Sequence, residues 1–192
     1  MKLGRFFLTL FGYGLVAVFV AAIAHIGVIL TTPEFAENDA YSKLVAAAPL
    51  GEARLLPRAS PTERTTPYRD PAVAAAFCRY DLTNGPMRIR APIGRSGLAS
   101  LSLHSRRGVI FYALTDRAAV RGAVEIVVAT PTQIRALAAK DEEGPAPELR
   151  VAAPNPQGFA VMRAFSELPG LLEAAEAQVK GLACTPAAVP GR

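Results

Sequence analysis

Few side chains in this sequence could do chemistry. Its two histidines are His25 and His104, and His104 stands among Ser100, Ser102 and Ser105. A serine nucleophile needs a base within hydrogen-bond reach. Alternate positions of a strand share a face, so SLSLHS could align a serine with the imidazole. Serines at that spacing more commonly line the wet face of a strand, and that is the use expected here. Asp81 and Asp116 could form an acid–base pair. Each stands beside a turn, however, where aspartate accepts from backbone amides, so a structural role is expected for both. No catalytic residue is therefore assigned. An envelope hydrolase built around His104 or Asp81 is the alternative.

Metal binding and cofactor binding are not expected. The histidines are far apart, no cysteine pair has ligand spacing, and no phosphate-cradling glycine loop occurs. Arg88, Arg90, Arg95, Arg106 and Arg107 lie in or between predicted strands that two hairpins could present together. Arg88, Arg90, Arg106 and Arg107 are the candidate binding residues for an anionic envelope component; the competing use is solvation of an exposed face. Cys78 and Cys184 are the only cysteines. In an oxidising compartment they are expected to pair, closing a loop of about 105 residues that chain entropy values at roughly 4.7 kcal/mol. The other reading makes Cys78 a small buried apolar residue and Cys184 part of a loose tail.

What must position these groups begins with FFLTLFGYGLVAVFVAAIAHIGVIL, residues 6–30, a stretch without formal charge. As a helix of about 25 residues it is roughly 37 Å long, enough to cross a hydrocarbon core of about 30 Å. Lys2 and Arg5 precede it, whereas Glu34, Glu37 and Asp39 follow it. The positive-inside rule keeps the N-terminus cytoplasmic and sends the remainder out. Ala22-Ile23-Ala24 imitates a signal-peptidase site, so a cleaved signal peptide is the rival reading. The apolar run continues past it to Leu30, which favours an uncleaved single-pass anchor in a bacterial inner membrane with a periplasmic soluble part. His25 lies near the outer end of the span, where a histidine is cheap. Gly14, Ala17, Ala21 and Ala24 form a stripe of small residues on which a second helix could pack.

The net charge of +5 falls to +3 without Lys2 and Arg5, and no basic block with interleaved aromatics occurs, so nucleic acid is not an expected partner. The domain reading is residues 1–32 anchor, 33–69 extended tether, 70–184 exported β-rich domain and 185–192 frayed tail. A short helix through Ala47 and a proline-rich strap fill the tether, which either lies along the domain or spaces it from the bilayer. Asp70-Pro71 could open a brief helix. Alternation then puts Ala76, Cys78, Tyr80 and Leu82 on one face and Phe77, Arg79 and Asp81 on the other. Thr83-Asn84-Gly85-Pro86 turns into a strand over 87–93, read as a hairpin. A second hairpin runs 98–104 and 109–115, its return strand apolar on both faces and expected to be central. A strand over 124–129 leads to a Thr130-capped helix reaching about Lys140, followed by a solvated loop over 141–147. A third hairpin over 149–153 and 159–165 precedes a last helix, 170–182. The fold class is α+β: an N-terminal transmembrane helix, then one mostly antiparallel sheet domain of about seven strands with two flanking helices.

CRYDLTNGPMRIRAP, with SLSLHSRRGVIFYALTDRAA after it, resembles the bacterial domain of unknown function twelve fifty-four family. Asp81, Leu82, Thr83, Gly85, Pro86, Pro92, Phe111 and Tyr112 match the features of that family, and HIGVIL, NDAYSKL and TPTQI look like its short membrane-anchored branch. The resemblance implies a β-rich fold. Longer relatives carry a second fused domain of unknown function, which implies a separately encoded partner domain here. It supplies no catalytic residues, and the aromatic-rich strands of the longer relatives are thinned here to Phe111 and Tyr112, which argues against a pocket lined by those aromatics. Together these readings give a membrane-anchored, exported binding or accessory domain of the cell envelope.

Overall fold

A computed structural model describes residues 2–35, 40–62, 69–93, 98–119, 122–139 and 148–187. Two compact units divide the chain, Met1–Asp39 and Ala40–Arg192. The first is the helix α1 (Lys2–Phe35), and its stretch Leu3–Thr32 is long and apolar enough to cross a membrane, as an anchor or a signal sequence. Thr9, Thr31 and Thr32 donate their hydroxyls one turn back, to the carbonyls of Arg5, Gly27 and Val28. These three hydroxyls are thereby satisfied within the helix.

The second unit is α+β and mostly antiparallel, with its strands in two sheets rather than one. The first sheet has the order β1 (Ala53–Leu55), β2 (Val73–Asp81), β8 (Gln157–Phe165), β4 (Ala99–Ser105), β5 (Ile110–Thr115). The second has the order β7 (Leu149–Ala152), β6 (Val124–Ala129), β3 (Met87–Ala91), β9 (Ala183–Pro186). Among the described strands only β6 and β7 pair in parallel, joined through α3 (Pro131–Ala138). The sheets share one core: Cys78, Tyr80, Leu101, Leu103 and Met162 from the first meet Ile89, Ile126, Val128 and Val151 from the second. α4 (Leu172–Lys180) adds Ala175 and Val179 to that core.

The two turns that look like hairpin loops are corners between sheets. Gly85 takes φ 140° and closes its turn on Leu82 O, yet β2 pairs with β1 and β8 while β3 pairs with β6 and β9. Both strands have an apolar face, and apposing these faces across the core buries more than leaving them side by side in one layer. The segment Pro154-Asn155-Pro156 likewise carries the chain from β7 in the second sheet to β8 in the first. The hairpin of β4 and β5 does form. Its return strand is an edge rather than central: Phe111 and Tyr112 pack on the core while Val109 and Ile110 stay exposed.

Other differences are local. Asp70 opens no helix; its Oδ1 accepts from Ala72 N at 2.8 Å and its carbonyl from Val73 N, which turns the chain into β2. The last helix is preceded by a 3₁₀ turn, Pro169–Leu171, and ends at Lys180. Residues expected in the tail, Thr185 and Pro186, complete β9. The tether lies along the domain over residues 40–58: α2 (Ala40–Ala47) covers the outer face of the first sheet, β1 pairs with β2, and Arg58 makes a bidentate pair with Glu176 of α4. The Thr130 cap is present as a full capping box with Gln133. Arg95, the loop 141–147, Lys140 and strap residues 63–68 lie outside the described residues.

Candidate functional site

Strand period places Ser100, Ser102 and His104 on the outer face of the first sheet, opposite Arg163, Val161 and Phe159 of β8. Ser102 Oγ lies 2.9 Å from His104 Nε2, and His104 Nδ1 lies 3.1 Å from the carbonyl of Gly108. A carbonyl only accepts, so Nδ1 carries the proton and Nε2 accepts from Ser102. Arg163 Nη1 donates to the same hydroxyl at 3.4 Å. The imidazole is stacked on Phe159, centroids 4.7 Å apart and planes 9° apart. His104 is 7% exposed and Ser102 4%, so the expected wet face is closed over. Burial lowers the His104 pKa, the Gly108 carbonyl opposes that, and the Arg163 charge lowers it further. In place of the carboxylate that steadies the imidazolium of a catalytic triad, this ring has a peptide carbonyl.

The two aspartates do not meet. Asp81 Oδ1 accepts from Thr83 N and from its hydroxyl, and Oδ2 accepts from Gln157 Nε2 at 2.9 Å. The Thr83 hydroxyl foremost, then Gln157 and the Thr83 amide, hold this carboxyl below the usual carboxylate range. Asp116 opens a 3₁₀ turn after β5. Asp81 pairs with Gln157, whereas Thr115 pairs with Ser100 and Ser100 with Arg163, so six residues of β8, about 20 Å, separate the two ends.

The arginines divide between the sheets. Arg88 and Arg90 occupy the outer face of β3; Arg88 pairs with Glu125 and, at 3.1 Å, with Glu148, which also takes Arg150. The Glu125 carboxylate foremost keeps the Arg88 guanidinium protonated. Arg106 and Arg107 form the tip of the β4–β5 hairpin, where they line a cavity of 380 Å³ with Thr83, Asn155 and Gln157. The guanidinium of Arg106 also lies 5.7 Å from the Tyr41 ring centre. Two hairpins side by side would have joined the four; a two-sheet arrangement separates them. The cysteines are bonded across the two sheets, Cys78 in β2 to Cys184 in β9, with Cα atoms 6.5 Å apart. On α1, a methyl group added at Gly14 meets no described atom within 4 Å, and Ala17, Ala21 and Ala24 continue that exposed stripe.

A larger concavity than that at Arg106 and Arg107 lies beside α2 on the outer face of the first sheet, with a volume of 680 Å³. Leu44, Leu56, Phe77, Phe159 and Val161 give it an apolar floor, and Lys43, Arg54, Arg69 and Arg163 bring positive charge to its lining. Arg79 holds α2 in place, its Nε and Nη2 donating to Ala48 O at 3.1 and 2.8 Å. None of the groove residues had been singled out as a candidate. The available signal was that Phe77 on β2 and Phe159, Val161 on β8 make the outer face apolar too, which requires a cover.

A two-sheet α+β unit preceded by one long apolar helix is the class of protein these observations define. Residues 52–186 match the family described as Protein of unknown function (DUF1254), and the chain belongs to that family. No curated protein matches. Among solved structures, the VPA0106 protein from Vibrio parahaemolyticus is similar at a TM-score of 0.54 and 13% identity, over 78% of this chain and 34% of that one. An uncharacterized protein from Burkholderia cenocepacia is similar at 0.45 and 16%, over 79% of this chain and 40% of that one. At such identities the first likeness concerns the fold alone. The chain spans about a third to two-fifths of these neighbours.

Proposed function

We propose that the chain is a non-catalytic binding module of the bacterial cell envelope, held in the inner membrane by an uncleaved α1, with its globular unit in the periplasm and a separately encoded domain as its partner. The observation that carries this is the lining of the groove. Its described residues combine apolar and cationic side chains, and none of them brings a carboxylate, imidazole, thiol or hydroxyl side chain. Such a lining holds a ligand but offers no acid–base pair or activated hydroxyl to transform it. The imidazole of the unit is sealed under Phe159 with both nitrogens engaged. Lys2 and Arg5 before the apolar run of residues 6–30, and Glu34, Glu37 and Asp39 after it, support the orientation. Exposed Arg90, Arg106 and Arg107 add attraction to anionic envelope surfaces.

One observation favours the hydrolase reading: Ser102 and His104 are within hydrogen-bond distance. The decisive test treats the full chain in native membranes with a fluorophosphonate serine probe. The expected result is no labelling of Ser102 and a protein retained with the membrane at its uncleaved mass. Labelling of Ser102 that disappears in His104→Gln overturns the binding reading, and loss of about the first 24 residues overturns the anchor.

A further inference from the structure

The groove beside α2 has a composition that names its ligand class, and this step rests on the binding-module reading above. We propose that it takes a long-chain fatty acid, with the acyl chain along the apolar floor and the carboxylate held by the basic residues of the lining. Three features carry the assignment. The floor is apolar and continuous across three elements, with Leu44 from α2, Phe77 from β2 and Val161 from β8. The charges of the described lining residues are all of one sign, and while Arg54 is answered by Glu52, Lys43 and Arg163 meet no carboxylate among the described residues, so an anionic head suits them and a cationic amphiphile would be repelled. The volume of 680 Å³ falls in the range of about 300–1,000 Å³ typical of sites for one small ligand. A single acyl chain fits that space, whereas a two-chain phospholipid needs considerably more room.

Geometry also says where the head belongs. Arg163 reaches the groove from β8 while donating to Ser102, which fixes its guanidinium and leaves further N–H groups for a carboxylate. Lys43, one residue before Leu44, stands over the same concavity from α2. Arg54 is held by Glu52 at 2.6 Å and Arg69 donates to the carbonyl of Pro57, so these two shape the wall near β1. The carboxylate is accordingly placed between Lys43 and Arg163, and the chain runs from there over Phe77 toward Leu56.

The test uses the full chain in nanodiscs of zwitterionic phosphatidylcholine and a palmitate analogue with a diazirine in its tail. After irradiation, adducts are mapped by peptide mass spectrometry. The expected result is labelling within residues 43–57 or 159–163, displaced by excess palmitate and not by 1-hexadecanol. Lys43→Gln with Arg163→Gln should lower that labelling about tenfold at an unchanged melting temperature. Ala47→Trp, which adds bulk from an exposed position on the groove wall, should abolish it. Adducts confined to α1, or labelling untouched by Ala47→Trp, overturn the assignment. Equal displacement by hexadecanol removes the anionic head from it, and displacement by lysophosphatidate alone replaces the carboxylate with a phosphate. Each of these outcomes leaves the binding-module reading in place, because that reading falls on labelling of Ser102 instead.

Discussion

Gly158 sits where β2, β8 and β4 leave no room for a side chain. A Cβ there would lie 2.3 Å from both His104 O and Tyr80 Oη, two atoms that are themselves hydrogen-bonded at 3.0 Å. Tyr80 is fully buried, and burial raises its pKa, so the phenol stays a donor. Gly158→Ala should therefore destabilise the globular unit by about 1–3 kcal/mol, read as a lower melting temperature. His104 gives a pH signature. Its folded pKa lies below the ordinary 6.5, so the unfolded chain takes up the proton first. The contribution is whole above pH 6.5 and is lost as pH falls through the lowered folded value. Urea midpoints should rise with pH through that window, and His104→Gln should flatten the rise. At this scale the sequence was partly legible. Its alternation put Ser102 and His104 on one face and Cys78 and Tyr80 on another, but strand period says nothing of what covers a face, so the wet role expected for the serine was wrong.

Among the elements, α2 is the one whose removal uncovers the groove. Tyr41 packs on Phe159 with centroids 6.3 Å apart and lies beneath both Arg79 and Arg106, while Leu44 and Ala48 complete the small outer core. Tyr41→Ala should cost about 3 kcal/mol of α2 docking. Hydrogen exchange would register it as loss of protection over residues 40–48 with β2 and β8 still protected. That prediction fails if protection falls uniformly. Helices were more legible than sheet pairing. Thr130-Pro131 carries its own start signal in a cap and a fixed φ, whereas Thr83–Pro86 announces only a turn. Whether a turn folds two strands side by side or sends them to facing layers depends on partners distant in sequence, such as β8 for β2 and β9 for β3.

For the whole globular unit, the bond between Cys78 and Cys184 ties the sheets to each other across the core. Replacing both cysteines by alanine should lower stability by about 2–5 kcal/mol in denaturant titration. The same loss should follow reduction of the native protein, and a reductant-insensitive midpoint would show that the shared core alone holds the layers. Both cysteines were legible because the sequence has only two; that their bond joins two layers was not, since β9 is a short strand without periodic signal. The position of Cys184 sets an order of events in biosynthesis. β9 is the last of the described strands in chain order, so Cys78 waits through the emergence of β3 to β8 before its partner arrives. A chain stalled before β9 carries Cys78 as an unpaired thiol, a chemical mark by which a thiol reagent could sort such chains from those in which β9 has emerged and paired.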